Sequence, residues 1–167
     1  MIDYKALAEP FEFEDLEFRI QKTRKKANGD IDAMIVPYVT ARAIQDRLDK
    51  VCEPIFWWNE FREWKGGQLC GITVMDGDRM VTKWDGAPDT NIEKLKGGLS
   101  DSMKRAAVQW GIGRYLYYLP KMKARILKGY AENANYGEYK SNKDPKPEPF
   151  WWTPNAAAVK AIKEASK

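Results

Sequence analysis

Between Trp57 and Trp84 the chain reads WWNEFREWKGGQLCGITVMDGDRMVTKW, three β-rich runs broken at Gly66-Gly67 and at Asp76-Gly77. Connections this short join antiparallel neighbours, and Asp-Gly between apolar runs is a strong hairpin signal. WWNEFREW (57–64), QLCGITVM (68–75) and RMVTKW (79–84) therefore read as a β-meander. Any fold for this chain has to be built around that sheet.

The flanks supply what packs against it. LEFRIQKTRK (16–25) alternates Leu16, Phe18 and Ile20 before turning basic, IDAMIVPYV (31–39) is β-rich, and Asn28-Gly29-Asp30 between them suits a turn. TARAIQDRLDKVC (40–52) changes period: Ala41, Ile44, Leu48 and Val51 share one helical face, and Pro54 stops the run. Thr90-Asn91-Ile92-Glu93 fits a capping box that opens a second helix, whose stripe of Leu99, Met103, Ala106 and Trp110 leads to Gly111 as a C-terminal cap. YLYYLP (115–120) suits either a short strand or a last helical turn. From Ala131 to Pro149 the chain is polar and rich in Asn, Lys, Gly and Pro, as in a linker. PFWWTP (149–154) follows, then NAAAVKAIKEASK (155–167), a helix capped by Asn155 or a frayed end. The expected division is a domain over 1–130 and a tail over 131–167.

Several kinds of chemistry lack their residues. The 167 residues contain no histidine, which removes the commonest general base and metal-ligating nitrogen. Cys52 and Cys70 are the two cysteines, at a spacing that suits no zinc site, and read as reduced thiols in or near the core. No phosphate-binding P-loop occurs. Gly111-Ile112-Gly113-Arg114-Tyr115-Leu116 starts like a dinucleotide fingerprint but lacks the third glycine and follows a helix. A metal-dependent nuclease is the best enzymatic reading, with Glu63-Trp64-Lys65 and Asp85 as its groups. Pro88-Asp89 with Glu138-Tyr139-Lys140 is a second formal match. A solvated hairpin end explains Glu63 and Lys65 without chemistry. No apolar run is long enough to span a membrane, and MIDYKALAEPFEF lacks the form of a signal peptide, so a cytoplasmic protein is expected.

The basic residues carry more. From Asp89 to Tyr130 nine cations face three carboxylates, an excess of six where the whole chain has a net charge of +4. Lys96, Lys104, Arg105 and Arg114 belong to this stretch; Lys25 belongs to a second knot, Lys22-Thr23-Arg24-Lys25-Lys26, and Lys83 to the last strand of the meander. Such cations neutralise phosphates and release counterions, largely without regard to base sequence. The chain also holds seven Trp and eight Tyr, a surplus that suits a Trp-rich core, subunit contacts or base stacking. Trp57, Trp58, Trp151 and Trp152 are the candidates for subunit contacts.

SDSMKRAAVQWGIGRYLYYLP (100–120) resembles the central motif of the Rad fifty-two/Rad twenty-two family of single-strand annealing proteins, especially the short forms encoded by bacteriophages. PYVTARAIQDRLDKV (37–51) is similar to its first conserved helix. CGITV (70–74) and VTKWDGA (81–87) are similar to its meander, and IEKLKGGLSDSMKRA (92–106) to its long helix. The resemblance implies an α+β fold: a twisted antiparallel β-meander packed on a long helix, a β-β-β-α core, assembled into rings or arcs. It implies a basic outer groove holding single-stranded DNA. Lys104 and Arg105 fall on the groove-lining pair, Arg42 on a further phosphate-contacting position, and Val108 replaces an arginine of the eukaryotic members.

The expected function is then ATP-independent binding and annealing of complementary strands in recombination and repair, with no catalytic residue, metal or cofactor. Lys104, Arg105, Arg42, Lys96, Arg114, Lys83 and Lys25 are the expected DNA-binding residues. The expected partners are single-stranded DNA, further copies of the chain, and a phage exonuclease or host single-strand-binding protein, within the cytoplasm of a bacterial host. A nuclease, or a protein that coats single strands without pairing them, is the alternative.

Overall fold

The computed structural model describes residues 1–88, 94–141 and 146–166, and of residues 94–96 the backbone alone. The chain begins with helix α1 (Tyr4–Ala8), a 3-10 turn (Phe13–Asp15), strands β1 (Leu16–Lys25) and β2 (Ile31–Val39), and helix α2 (Ala41–Cys52). Strands β3 (Trp57–Trp64), β4 (Gly67–Asp76) and β5 (Arg79–Pro88) follow, then helix α3 (Lys94–Gln109) and a 3-10 segment (Arg114–Tyr118). Strands β6 (Met122–Leu127), β7 (Asn135–Tyr139) and β8 (Glu148–Pro154) and helix α4 (Ala156–Ala165) complete it. The fold is α+β, on antiparallel sheets. Two compact units form: Met1–Leu16 with Val39–Tyr118, and Glu17–Tyr38 with Leu119–Lys167.

The first unit holds the meander, in the order β3-β4-β5. Its turns follow the local chemistry. Lys65 and Gly66 both take positive φ, 47° and 78°, as a two-residue hairpin with matching twist requires. The second turn centres on Gly77-Asp78, one residue later than the Asp76-Gly77 signal, because Asp76 pairs with Arg79. Cys70, Ile72 and Val74 alternate along β4 and are buried, and α3 packs over β4 and β5. Burying an Ile or Val side chain contributes about 1.5–3 kcal/mol, so this row anchors the unit. Burial also pushes the thiols up, Cys52 to about 11 and Cys70 to about 12. The N-terminal segment is strapped on by Arg47 of α2, whose guanidinium donates to the carbonyls of Ala6, Leu7, Glu9 and Pro10 and lies over the Phe11 ring.

The second unit is a five-stranded sheet in the order β1-β2-β6-β8-β7. The β1–β2 turn falls at Asn28–Asp30, where the Lys26 N–H donates to Asp30 O at 2.8 Å. Two expectations are corrected here. Residues 131–149 are not linker throughout, since β7 and the start of β8 pair within them. Of the two alternatives for YLYYLP the helical one holds: Arg114–Tyr118 is a 3-10 helix. Trp152, expected at a subunit contact, is 1% exposed inside its own unit and donates its Nε1–H to Tyr136 O. The C-terminal helix forms as its sequence suggests, with the Asn155 side chain accepting from the Ala158 N–H at 2.9 Å. The capping box at Thr90–Glu93 lies outside the described residues.

Candidate nucleic-acid interface

Helix α3 has two unlike faces. Ser102, Met103, Ala106, Ala107 and Trp110 are buried, and Trp110 donates its Nε1–H to Ile72 O at 3.1 Å. Asp101, Lys104, Arg105 and Val108 recur at i, i+3, i+4 and i+7 on the side turned away from that stripe. Lys104 Nζ donates to Asp101 Oδ1 at 2.8 Å, and its side chain is 25% exposed. Arg105, at 53% exposure, donates Nε–H to Asp85 Oδ1 at 3.0 Å. Asp85 is held in turn by the Gly86 N–H at 2.7 Å and by Gln109 Nε2 at 3.4 Å. The basic pair is thus oriented by two carboxylates while its guanidinium end faces solvent.

The C-terminus of α3 gathers two more cations. The helix closes in a Schellman motif: Ile112 N–H donates to Ala107 O and Gly111 N–H to Val108 O, with Gly111 at φ +91°. That reversal brings Arg114 back over the helix end, where Nε and Nη2 reach Val108 O at 2.9 and 2.6 Å and Nη2 reaches Gln109 O at 3.0 Å. Lys83 of β5 donates to Gln109 O at 3.0 Å and sits 4.3 Å from the centroid of the Trp110 ring. Orphan carbonyls and the negative end of the helix dipole account for both positions. Lys83, Arg105 and Arg114 therefore meet at one end of α3, with Lys104 beside them on the helix.

Of the remaining expected residues, Arg42 alone is described with its side chain in the same unit as α3. Arg42 is exposed on α2 and has no partner among the described residues. Lys25 belongs to the other unit, where it pairs with Glu148 at 2.6 Å. The side chain of Lys96 lies outside the described residues. Of the tyrosines after Gly113, Tyr115 turns inward: the Phe11 N–H donates to its hydroxyl at 3.2 Å, and burial raises its pKa. Tyr117 and Tyr118 are exposed beside Arg114, a consequence of the 3-10 segment that the sequence does not signal. The helper groups Asp85 and Gln109 also escape a sequence reading, because they act across the β5–α3 contact. Asp85, a metal ligand in the nuclease reading, is engaged with Arg105, and no group of three His, Cys, Asp or Glu that could hold a metal occurs among the described residues. Among these residues no helix is long and apolar enough to cross a membrane.

Comparison with known proteins places this geometry in context. The pattern of the Rad52/22 family of double-strand break repair proteins matches residues 4–135. The chain is 44% identical over 91 residues to the single-stranded DNA-binding protein DdrA of Deinococcus radiodurans, covering 53% of this chain and 43% of that protein. It is 42% identical over 91 residues to the protein of the same name from Deinococcus deserti, covering 53% and 45%. The matched stretch thus spans less than half the length of either relative. No solved structure matches the chain.

Proposed function

Because the chain belongs to the Rad52/22 family of double-strand break repair proteins, we propose that it binds single-stranded DNA and anneals complementary strands without hydrolysing nucleotide. The observation that carries this reading is the Lys104–Arg105 step on the side of α3 away from its buried stripe, oriented by Asp101 and Asp85. A strand laid along this step exchanges its phosphate counterions for fixed cations, so affinity is steep in salt and nearly blind to sequence. Tyr117 and Tyr118 offer exposed rings close by in the chain, and each stacked base contributes about 1–3 kcal/mol. Lys83 and Arg114 keep the helix end closed while adding positive potential, and Arg42 and Lys96 add further positive charge to the chain. Lys25, in the second unit, contributes a further cation.

Annealing needs no hydrolysis, since each base-pair step gains about 1.4 kcal/mol of stacking. The obstacle is kinetic: phosphate repulsion between strands and hairpins within each. An extended strand on a basic surface meets neither. The protein is accordingly not an enzyme in this reading. Residues 1–130 carry the annealing function and 131–167 support it. Copies join into a ring or arc, so that short grooves become one long one. Trp58, Trp64 and Met80, exposed on the meander face opposite α3, supply apolar surface for such contacts. The working place is the bacterial cytoplasm, with a phage exonuclease or host single-strand-binding protein handing over the strand.

The test uses complementary oligonucleotides with magnesium and no nucleotide. Fast pairing, together with light scattering at many times 19.3 kDa once DNA is added, is the expected result. Degradation of the strands would favour the nuclease, and binding without pairing would favour a coating protein.

A further inference from the structure

We infer that the outer face of the second sheet is a separate binding site for single-stranded nucleic acid, centred on Tyr130, Trp151 and Tyr136. Along β6 the residues alternate. Met122 is buried on the inner face, while Lys123, Arg125 and Leu127 occupy the other. The register continues that outer face across the sheet: Arg125 lies opposite Thr153, Leu127 opposite Trp151, and Trp151 opposite Tyr136. Tyr130, just past the end of β6, closes over the same tryptophan. Its ring centroid is 5.0 Å from that of Trp151 at 83°, and Tyr136 stands 5.5 Å away at 69°.

These contacts are edge-to-face, not stacked, and Tyr130 and Tyr136 are still 72% and 55% exposed. Ring faces therefore remain open, on a sheet surface where a base can lie flat. The charge on the β6 side of them is positive. From Leu119 to Ala131 the chain carries Lys121, Lys123, Arg125 and Lys128 and no carboxylate. Lys123 is tied to Asp32 at 3.2 Å, but Lys121, Arg125 and Lys128 have no partner among the described residues. Two acids flank the rings in sequence: Glu132, exposed two residues after Tyr130, and Glu138, which accepts from the Tyr136 hydroxyl and pairs with Lys140. Side chains two apart on a strand are about 7 Å apart, so Lys123 and Arg125 can follow an extended backbone while the rings take its bases. Single-stranded nucleic acid suits both halves of this surface.

The inference does not depend on the reading of α3. Trp151 lies beyond residue 135, where the family match ends, and every residue invoked belongs to the second unit. The test uses the full chain and an oligothymidylate bearing 5-iodouracil. Irradiation is expected to yield adducts on Tyr130, Tyr136 or Trp151, whatever else is labelled. Tyr130→Ala with Arg125→Ala, both at exposed positions, should lower affinity about tenfold, and Arg125→Ala alone should reduce the salt slope by about one. Adducts confined to residues 83–118, with affinity unchanged in the double variant, would overturn this site and leave the α3 groove standing. Adducts on the three rings alone would keep this site and count against the groove. A double variant that changes the mass in light scattering but not the adducts or the affinity would assign the surface to subunit contacts and overturn the inference.

Discussion

The two units treat their cations differently. Around α3 each described cation of the expected site has a structural partner: Lys104 has Asp101, Arg105 has Asp85, and Lys83 and Arg114 have the last carbonyls of the helix. Along β6 the balance is reversed. Only Lys123 has a described carboxylate, and Arg125 stands beside a cluster of rings. A count of charges puts both regions in the same basic stretch. Their geometry separates a pre-oriented site, whose cations are fixed before a ligand arrives, from an open face whose cations are ordered only on binding. The first should contribute more per cation, because less side-chain entropy remains to be lost.

The comparison can be broken at several points, and the largest effect lies in the second unit. Trp152 and Trp151 are adjacent, yet one is core and the other surface. Trp152→Ala should cost about 3–5 kcal/mol in urea unfolding. Trp151→Ala should cost about 1 kcal/mol, the worth of one or two edge contacts. Equal losses would erase the distinction between the faces of this sheet.

Next comes the end of α3. Arg114→Ala leaves three hydrogen bonds to helix carbonyls unmade and should lower stability by about 1–2 kcal/mol. Arg105→Ala breaks one exposed ion pair and should change stability by less than about 0.5 kcal/mol. Thermal melting of the two variants separates a cap from a binding residue. If Arg105→Ala is the more damaging, the roles assigned here are exchanged.

The smallest effect is one of pH. Asp32 in the second unit is held below its usual pKa of 3.8, first by the hydrogen bond from Arg24 and then, against the opposing effect of desolvation, by Lys123. Asp76 in the first is lowered by the Ile2 N–H, against desolvation, and by Tyr4. A carboxyl depressed in the folded state stabilises above its unfolded pKa, and that contribution disappears as pH falls through the lower folded value. Asp32→Asn should therefore be less stable than the parent at pH 6, with the gap closing as pH falls below 3.8 and through the lower folded value. A gap that does not change with pH across the acid range would remove the ion pair from the account.

The meander was legible because its information is local. Three β-rich runs and a turn signal within a few residues of each strand end fix it without reference to the rest of the chain. Helix α4 was legible for the same reason, through Asn155 and the alanines after it. β7 was not, since NYGEY is short and polar and becomes a strand only by pairing with β8. Nor does anything in MKARIL announce that it will lie beside β2, some ninety residues earlier in the chain. At the site, the spacing of Lys104 and Arg105 against the buried stripe could be read directly. That Lys83 and Arg114 converge on Gln109 could not, because the Schellman turn and the β5–α3 packing place them there.

The central claim is that strand pairing runs through the Lys104–Arg105 step of α3. Its most direct test is the rate at which complementary oligonucleotides anneal, without nucleotide, on the parent protein and on the Lys104→Ala, Arg105→Ala double variant, with unfolding midpoints measured on the same samples. The account predicts a loss of at least about a hundredfold in rate, about 2.7 kcal/mol, while the unfolding midpoint stays near that of the parent. A double variant that anneals as fast as the parent would contradict it, and so would one that loses annealing only because it no longer folds.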